Sequence, residues 1–179
     1  MIIKNNLQAI HNTLPAHVKL VAVTKTKPIS SILEAYEAGH KVFGENKVQE
    51  MVQKFDALPK DIEWHMIGHL QSNKVKYMAH FVHLIHGVES LKTLKEINKQ
   101  AIKHHRTIDC LLQLKIASEE TKFGLSINEA EKLLNSPELI GLKNIRVVGL
   151  MGMASFTEDK TIIRTEFKTL INYLNHLKN

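Results

Sequence analysis

In the run Val21-Ala22-Val23-Thr24-Lys25-Thr26-Lys27-Pro28, an apolar, largely β-branched stretch ends at a lysine, and a proline and serines follow at once. A lysine at the carboxyl end of a buried parallel strand sits where α/β folds assemble their chemistry. Its amine becomes a nucleophile when its pKa is lowered, and the like charge of Lys27, two residues on, acts in that direction. For an isolated Val-Thr-Lys the commoner reading is a surface lysine just past a strand. Further segments change that balance. Phe43-Gly44-Glu45-Asn46 ends a second apolar run, with Asn46 either presenting its amide on the same face as Lys25 or capping the next helix. The run from Trp64 to Lys74 places Gln71, Asn73 and Lys74 after the Gly68 turn and a helix cap expected at Ser72, while Lys122-Phe123-Gly124 and Gly149-Leu150-Met151-Gly152-Met153 close later runs.

Positioning these groups requires a repeated strand-then-helix alternation. Apolar runs begin near Lys19, Lys41, Glu63, Phe81, Asp109 and Arg146, at intervals of 22, 22, 18, 28 and 37 residues, each long enough for one strand and one crossover helix. The strands Leu20 to Val23, Val42-Phe43, Phe81-Val82, Cys110 to Leu112 and Val147-Val148 read as continuously apolar, as in parallel sheets covered by helices. Ser31 with Glu34, and Ser126 with Glu129, have capping-box spacing; Ser90 caps a further helix and Gly39 closes one. The first fourteen residues predict an amphipathic helix with Ile3, Leu7 and Ile10 on one face. No Gly-x-Gly-x-x-Gly follows the first strand, so a (β/α)8 barrel is preferred over a doubly wound sheet, with about six βα units in a single domain spanning residues 1–179.

Composition narrows the function classes. The net charge of +6 is carried by scattered lysines with few aromatics between them, which argues against nucleic acid and for general surface charge biased toward an anionic small ligand. Eleven histidines occur, but none repeats a metal-ligand spacing, so no metal site is expected and His65 is read as a core residue. No apolar run reaches the ~18 residues of a membrane span. The N-terminus lacks the pattern of a secretory signal and Cys110 is the only cysteine, so a cytoplasmic location is expected.

The segments Ala22 to Pro28, Phe43 to Asn46, Trp64 to Lys74, Lys122 to Gly124 and Gly149 to Met151 resemble the pyridoxal phosphate homeostasis proteins, from the N-terminal helix to somewhat beyond Met151. That resemblance implies a TIM barrel similar to the N-terminal domain of alanine racemase, holding pyridoxal 5′-phosphate (PLP). Lys25 matches the family's Schiff-base lysine, Asn46 matches the asparagine beside the cofactor ring, and Met151 lies in a motif facing the cofactor. It further implies a monomeric carrier that buffers the cofactor without robust catalytic turnover.

The family pattern also includes a seventh and an eighth βα unit carrying phosphate-binding segments, which these 179 residues do not contain. Reduced cofactor retention and association through open barrel edges are therefore expected. Two alternatives accompany the carrier reading. One is an enzyme similar to alanine racemase, though no tyrosine sits in a recognisable catalytic motif; the other is a cofactor-free remnant without activity.

Overall fold

The computed structural model describes residues 2–117 and 123–178. Helix α1 (Ile2–Thr13) leads into strand β1 (Ala22–Val23), and the chain then alternates α2 (Ile29–Glu37), β2 (Val42–Glu45), α3 (Val48–Ala57), β3 (Glu63–Met66), α4 (Val75–Met78), β4 (Leu84–Val88), α5 (Leu91–Lys103) and β5 (Ile108–Leu114). Helices α6 (Ile127–Leu134) and α7 (Pro137–Ile140), strand β6 (Ile145–Gly152) and helix α8 (Lys160–Lys178) complete it.

All six strands are parallel and lie in the order β1-β2-β3-β4-β5-β6. A doubly wound sheet reverses direction partway across, whereas a (β/α) barrel adds each strand beside the last, so the order decides for the barrel architecture. Here the sheet is open, with β1 and β6 as its edges. The outward faces of the strands and the inward faces of the helices share one apolar core centred on Phe43, Trp64, Met66, Ile85, Cys110 and Leu112. Burial pushes the Cys110 thiol up to about 12, which removes it from nucleophilic chemistry.

Several helix ends follow the expected chemistry. Ser90 accepts from the Thr93 N–H, and Ser126 and Glu129 form a full capping box. Gly39 takes φ +95°, and the bonds Gly39 N–H to Tyr36 O and His40 N–H to Ala35 O close α2 in a Schellman motif. Other expectations are corrected. α2 starts at Ile29 behind an extended Pro28, so Ser31 lies inside the helix and caps nothing. Ser72 begins a short 3-10 turn whose N-cap is Gln71 with no side-chain bond. Phe81 and Val82 belong to a turn, and β4 begins at Leu84, because the N–H groups of Phe81 and Val82 bond back to the Met78 carbonyl. Leu20 and Val21 precede β1, and Ile10 is exposed rather than inward. No helix among the described residues is long and apolar enough to cross a membrane.

Candidate functional site

Lys25 is the second residue past the end of β1 and is exposed to solvent. The β1–β2 register pairs Ala22 with Phe43 and Val23 with Gly44. The register ends there: Lys25 enters a turn two residues past β1, and Asn46 is the first residue past β2, at the same carboxyl edge of these neighbouring strands. Strand alternation sends Thr24 to the helix side, where it is buried, and leaves Val23 and Lys25 on the other face.

The backbone around Lys25 is fixed from several directions. The Thr24 N–H donates to the Gly44 carbonyl at 3.0 Å, and the Lys27 N–H donates to the Thr24 carbonyl at 2.9 Å, closing a turn with Lys25 and Thr26 at its centre. Thr26 has φ +62°, a left-handed conformation that costs a β-branched residue free energy. The strain is held by the Glu50 carboxylate, which accepts the Thr26 N–H at 2.6 Å. Behind the turn, Lys54 Nζ donates to the Thr24 carbonyl, to Glu45 Oε1 and to Glu50 Oε1, each at 2.7 Å. Glu45 Oε1 also accepts the Thr24 hydroxyl at 2.6 Å. Lys54 and Glu45 are 5% and 0% exposed, so this ion pair is almost free of solvent screening. The Lys54 ammonium bonded to Glu50 holds that carboxyl below the usual range, outweighing its partial burial.

Glycines draw the strand ends together. A Cβ on Gly68 would lie 2.5 Å from the Asn46 carbonyl oxygen, and one on Gly44 2.9 Å from the Ile67 side chain. Asn46 is not a helix cap, since Lys47 takes that position in front of α3. Beside it, a hollow of about 200 Å³ is lined by Asn46, Lys47, Met66, His69, Gln71 and Lys74, which concentrates cationic side chains at the carboxyl ends of β2 and β3. The His69 ring stacks on Phe123 with centroids 4.9 Å apart, and Gln113 donates to the Phe123 carbonyl at 3.1 Å, so the segment after β5 is tied to both β3 and β5. Lys122 lies outside the described residues.

Met151 is the penultimate residue of β6, in register with Gln113. It belongs to the same carboxyl end of the sheet as Lys25 and Asn46 but sits on the opposite edge strand. Neighbouring Leu150 packs outward on the core, so Met151 presents the other face. The structure thus puts Lys25 and Asn46 just past the ends of adjacent strands, β1 and β2, and sets Met151 four strands further on from β2. Sequence reasoning missed the Glu45, Glu50 and Lys54 network. The signal was the i, i+4 spacing of Glu50 and Lys54, with Lys54 three residues after the buried Met51.

Residues 2–179 match the family model described as alanine racemase, N-terminal domain. A pyridoxal phosphate homeostasis protein of Aquifex aeolicus is 39% identical over 153 residues, covering 85% of this chain and 66% of that protein. Another, of Haemophilus influenzae, is 36% identical over 164 residues, covering 90% and 68%. The chain belongs to the pyridoxal phosphate homeostasis protein family. It spans about two thirds of the length of these two homeostasis proteins. The PLP-bound structure of PipY from Synechococcus elongatus superposes on this family member with a TM-score of 0.88 at 30% identity, covering 98% of this chain and 82% of that one. Alanine racemase of Clostridium difficile aligns with a TM-score of 0.76 at 15% identity over 98% of this chain and 47% of that one, a likeness of fold alone.

Proposed function

We propose that this chain binds PLP and serves in cofactor homeostasis, holding PLP as a Schiff base on Lys25, with Asn46 beside the ring and Met151 facing it. The observation that carries this reading is the frame around Lys25: an exposed amine on a turn whose flanking atoms are fixed by a buried ion network. The donor set fits the cofactor, since an aldehyde needs an amine, a pyridine ring needs a neighbouring polar group and flat access, and a phosphate needs cations. Lys25, Asn46 and the Lys47 and Lys74 side of the adjoining hollow offer these. When bound, PLP supplies an aldehyde carbon and an electron-accepting ring. The Lys25 amine would supply the nitrogen that holds it. Asn46, which follows the neighbouring strand at the same end of the sheet, would orient what Lys25 holds.

A carrier role without turnover is supported by the names of the relatives, which are homeostasis proteins. The tyrosines point the same way: Tyr36, Tyr77 and Tyr173 all lie on helices, Tyr36 bonded to Asp61, and none stands at a strand's carboxyl end as an acid/base partner would. The test is borohydride reduction in the presence of PLP followed by peptide mapping. Label at Lys25, lost in Lys25→Ala, supports the reading; label at Lys27 or Lys74 overturns the assignment. Interconversion of alanine enantiomers by the loaded protein would replace the carrier reading with a racemase.

A further inference from the structure

Below the strand ends that carry Lys25 and Asn46, toward the start of β3, lies a cluster that the Lys25 site does not use. Glu63 and His65 are alternate residues of β3 and project to the same face, and His83 precedes β4 with its N–H bonded to the Trp64 carbonyl at 2.8 Å. One ligand atom from each of Glu63, His65 and His83 lies within 4.8 Å of the other two. Glu63 Oε2 and His83 Nε2 are already 3.6 Å apart, close to the ~3.3–3.5 Å spacing that ligand bonds of about 2.0–2.2 Å impose. The His65 and His83 rings stack nearly parallel, with centroids 5.5 Å apart.

A second observation concerns His65 itself, which is 2% exposed. Its Nδ1 is engaged with His86 Nε2 at 2.9 Å, while its Nε2 is buried with no hydrogen-bond partner among the described residues. An orphaned buried imidazole nitrogen is costly unless something meets it. If Nδ1–H donates to His86, Nε2 carries a free lone pair. That is the arrangement of a metal-binding histidine, whose other ring N–H is held by an outer partner.

We propose that Glu63, His65 and His83 form a binding site for a divalent transition-metal ion of the zinc class. Two imidazoles and one carboxylate are a donor set such ions accept, with a further coordination position left for water. His65 is the fixed ligand; His83 and Glu63, which are more exposed, swing in by about an ångström. Asp109 is committed to Arg146 through a two-pronged bond of 2.7 and 3.0 Å, so it is not a fourth ligand. The competitor is Lys19, whose ammonium lies 3.1 Å from Glu63 Oε2 but is mostly exposed and free to leave. The pattern escapes a search along the chain because the ligands come from two adjacent strands, with a spacing fixed by register rather than by sequence.

The test is titration of the full chain with Zn²⁺, and with Co²⁺ as a visible-absorbing probe. Saturable 1:1 binding, weakened at least ~10-fold in His83→Ala and in Glu63→Gln, is expected. Lys19→Gln, which frees the Glu63 carboxylate, should tighten binding; a merely structural role for these residues would not produce opposite effects. Because His83 and Glu63 are partly exposed, both variants should fold, which circular dichroism checks. Unchanged affinity in both, no saturable binding by the parent chain, or binding lost instead in a His104→Gln/His105→Gln variant at the exposed end of α5 would overturn the proposal.

Discussion

Lys54 is a buried cation that serves three oxygens of three different chain segments, and two of those oxygens belong to carboxylates. Its removal does more than delete hydrogen bonds. Glu45 would be left as an uncompensated charge in the core, where its Oε2 already lacks a hydrogen-bond partner among the described residues. Lys54→Met is therefore expected to cost about 3–5 kcal/mol in denaturant unfolding, and the double variant Glu45→Gln/Lys54→Met should recover part of that loss. A double variant less stable than Lys54→Met alone would mean that Glu45 is satisfied by some other route. The folded fraction of Lys54→Met should also trap less PLP on Lys25, since the Thr24 carbonyl and the Thr26 N–H lose their common anchor. At this scale the sequence made Lys25 and Asn46 legible because each ends an apolar run. It hid Lys54, whose charge looks like part of a solvated helix face until the turn it supports is seen to fold over it.

Elements were most readable where local chemistry is self-contained. Ser126 and Glu129 satisfy each other's backbone donors within one helical turn, so four residues of sequence carry the whole motif. Ser31 and Glu34 have the same spacing, but Pro28 sets the entry of α2 earlier, and the Glu34 carboxylate instead accepts the Ile3 N–H of α1 at 3.2 Å. A contact across 31 positions outcompeted a local one, and spacing alone does not reveal such contacts. The same junction contains His40, packed edge-on against Phe43 at 5.2 Å with Nε2 2.8 Å from the Val42 carbonyl. Burial lowers its pKa below 6.5 despite that bond. The sign follows directly: the unfolded chain binds the proton more readily, so the contribution of neutral His40 is whole above about pH 6.5 and is lost as pH falls through the folded value. Unfolding midpoints measured downward from neutrality should fall less steeply in His40→Gln than in the parent chain. Equal slopes would remove His40 from the acid response.

Across the whole molecule, the apolar core runs without a break from Ile3 and Leu7 of α1 to Val147 and Leu150 of β6. Trp64, the only tryptophan, sits fully buried at its centre. We therefore expect a single domain that unfolds in one transition, with Trp64 fluorescence and far-ultraviolet dichroism superimposing across denaturant. A dichroism change that precedes the fluorescence change would show α8, with the small satellite cluster of Leu114, Ala130 and Tyr173, melting separately. The parallel alternation was legible from interval lengths alone. The register was not, because it is fixed by where strands meet rather than by what each contains. The strand order has a consequence in time. Each strand pairs with the one made just before it, so contacts are closed over short loops and little chain entropy is spent on any one of them. All the groups that frame Lys25 lie between Thr24 and Lys54, so a growing chain carries the complete set before its first third has been followed by the rest. At synthesis rates of about 5–20 residues per second, the lysine turn has several seconds to settle before β6 is made.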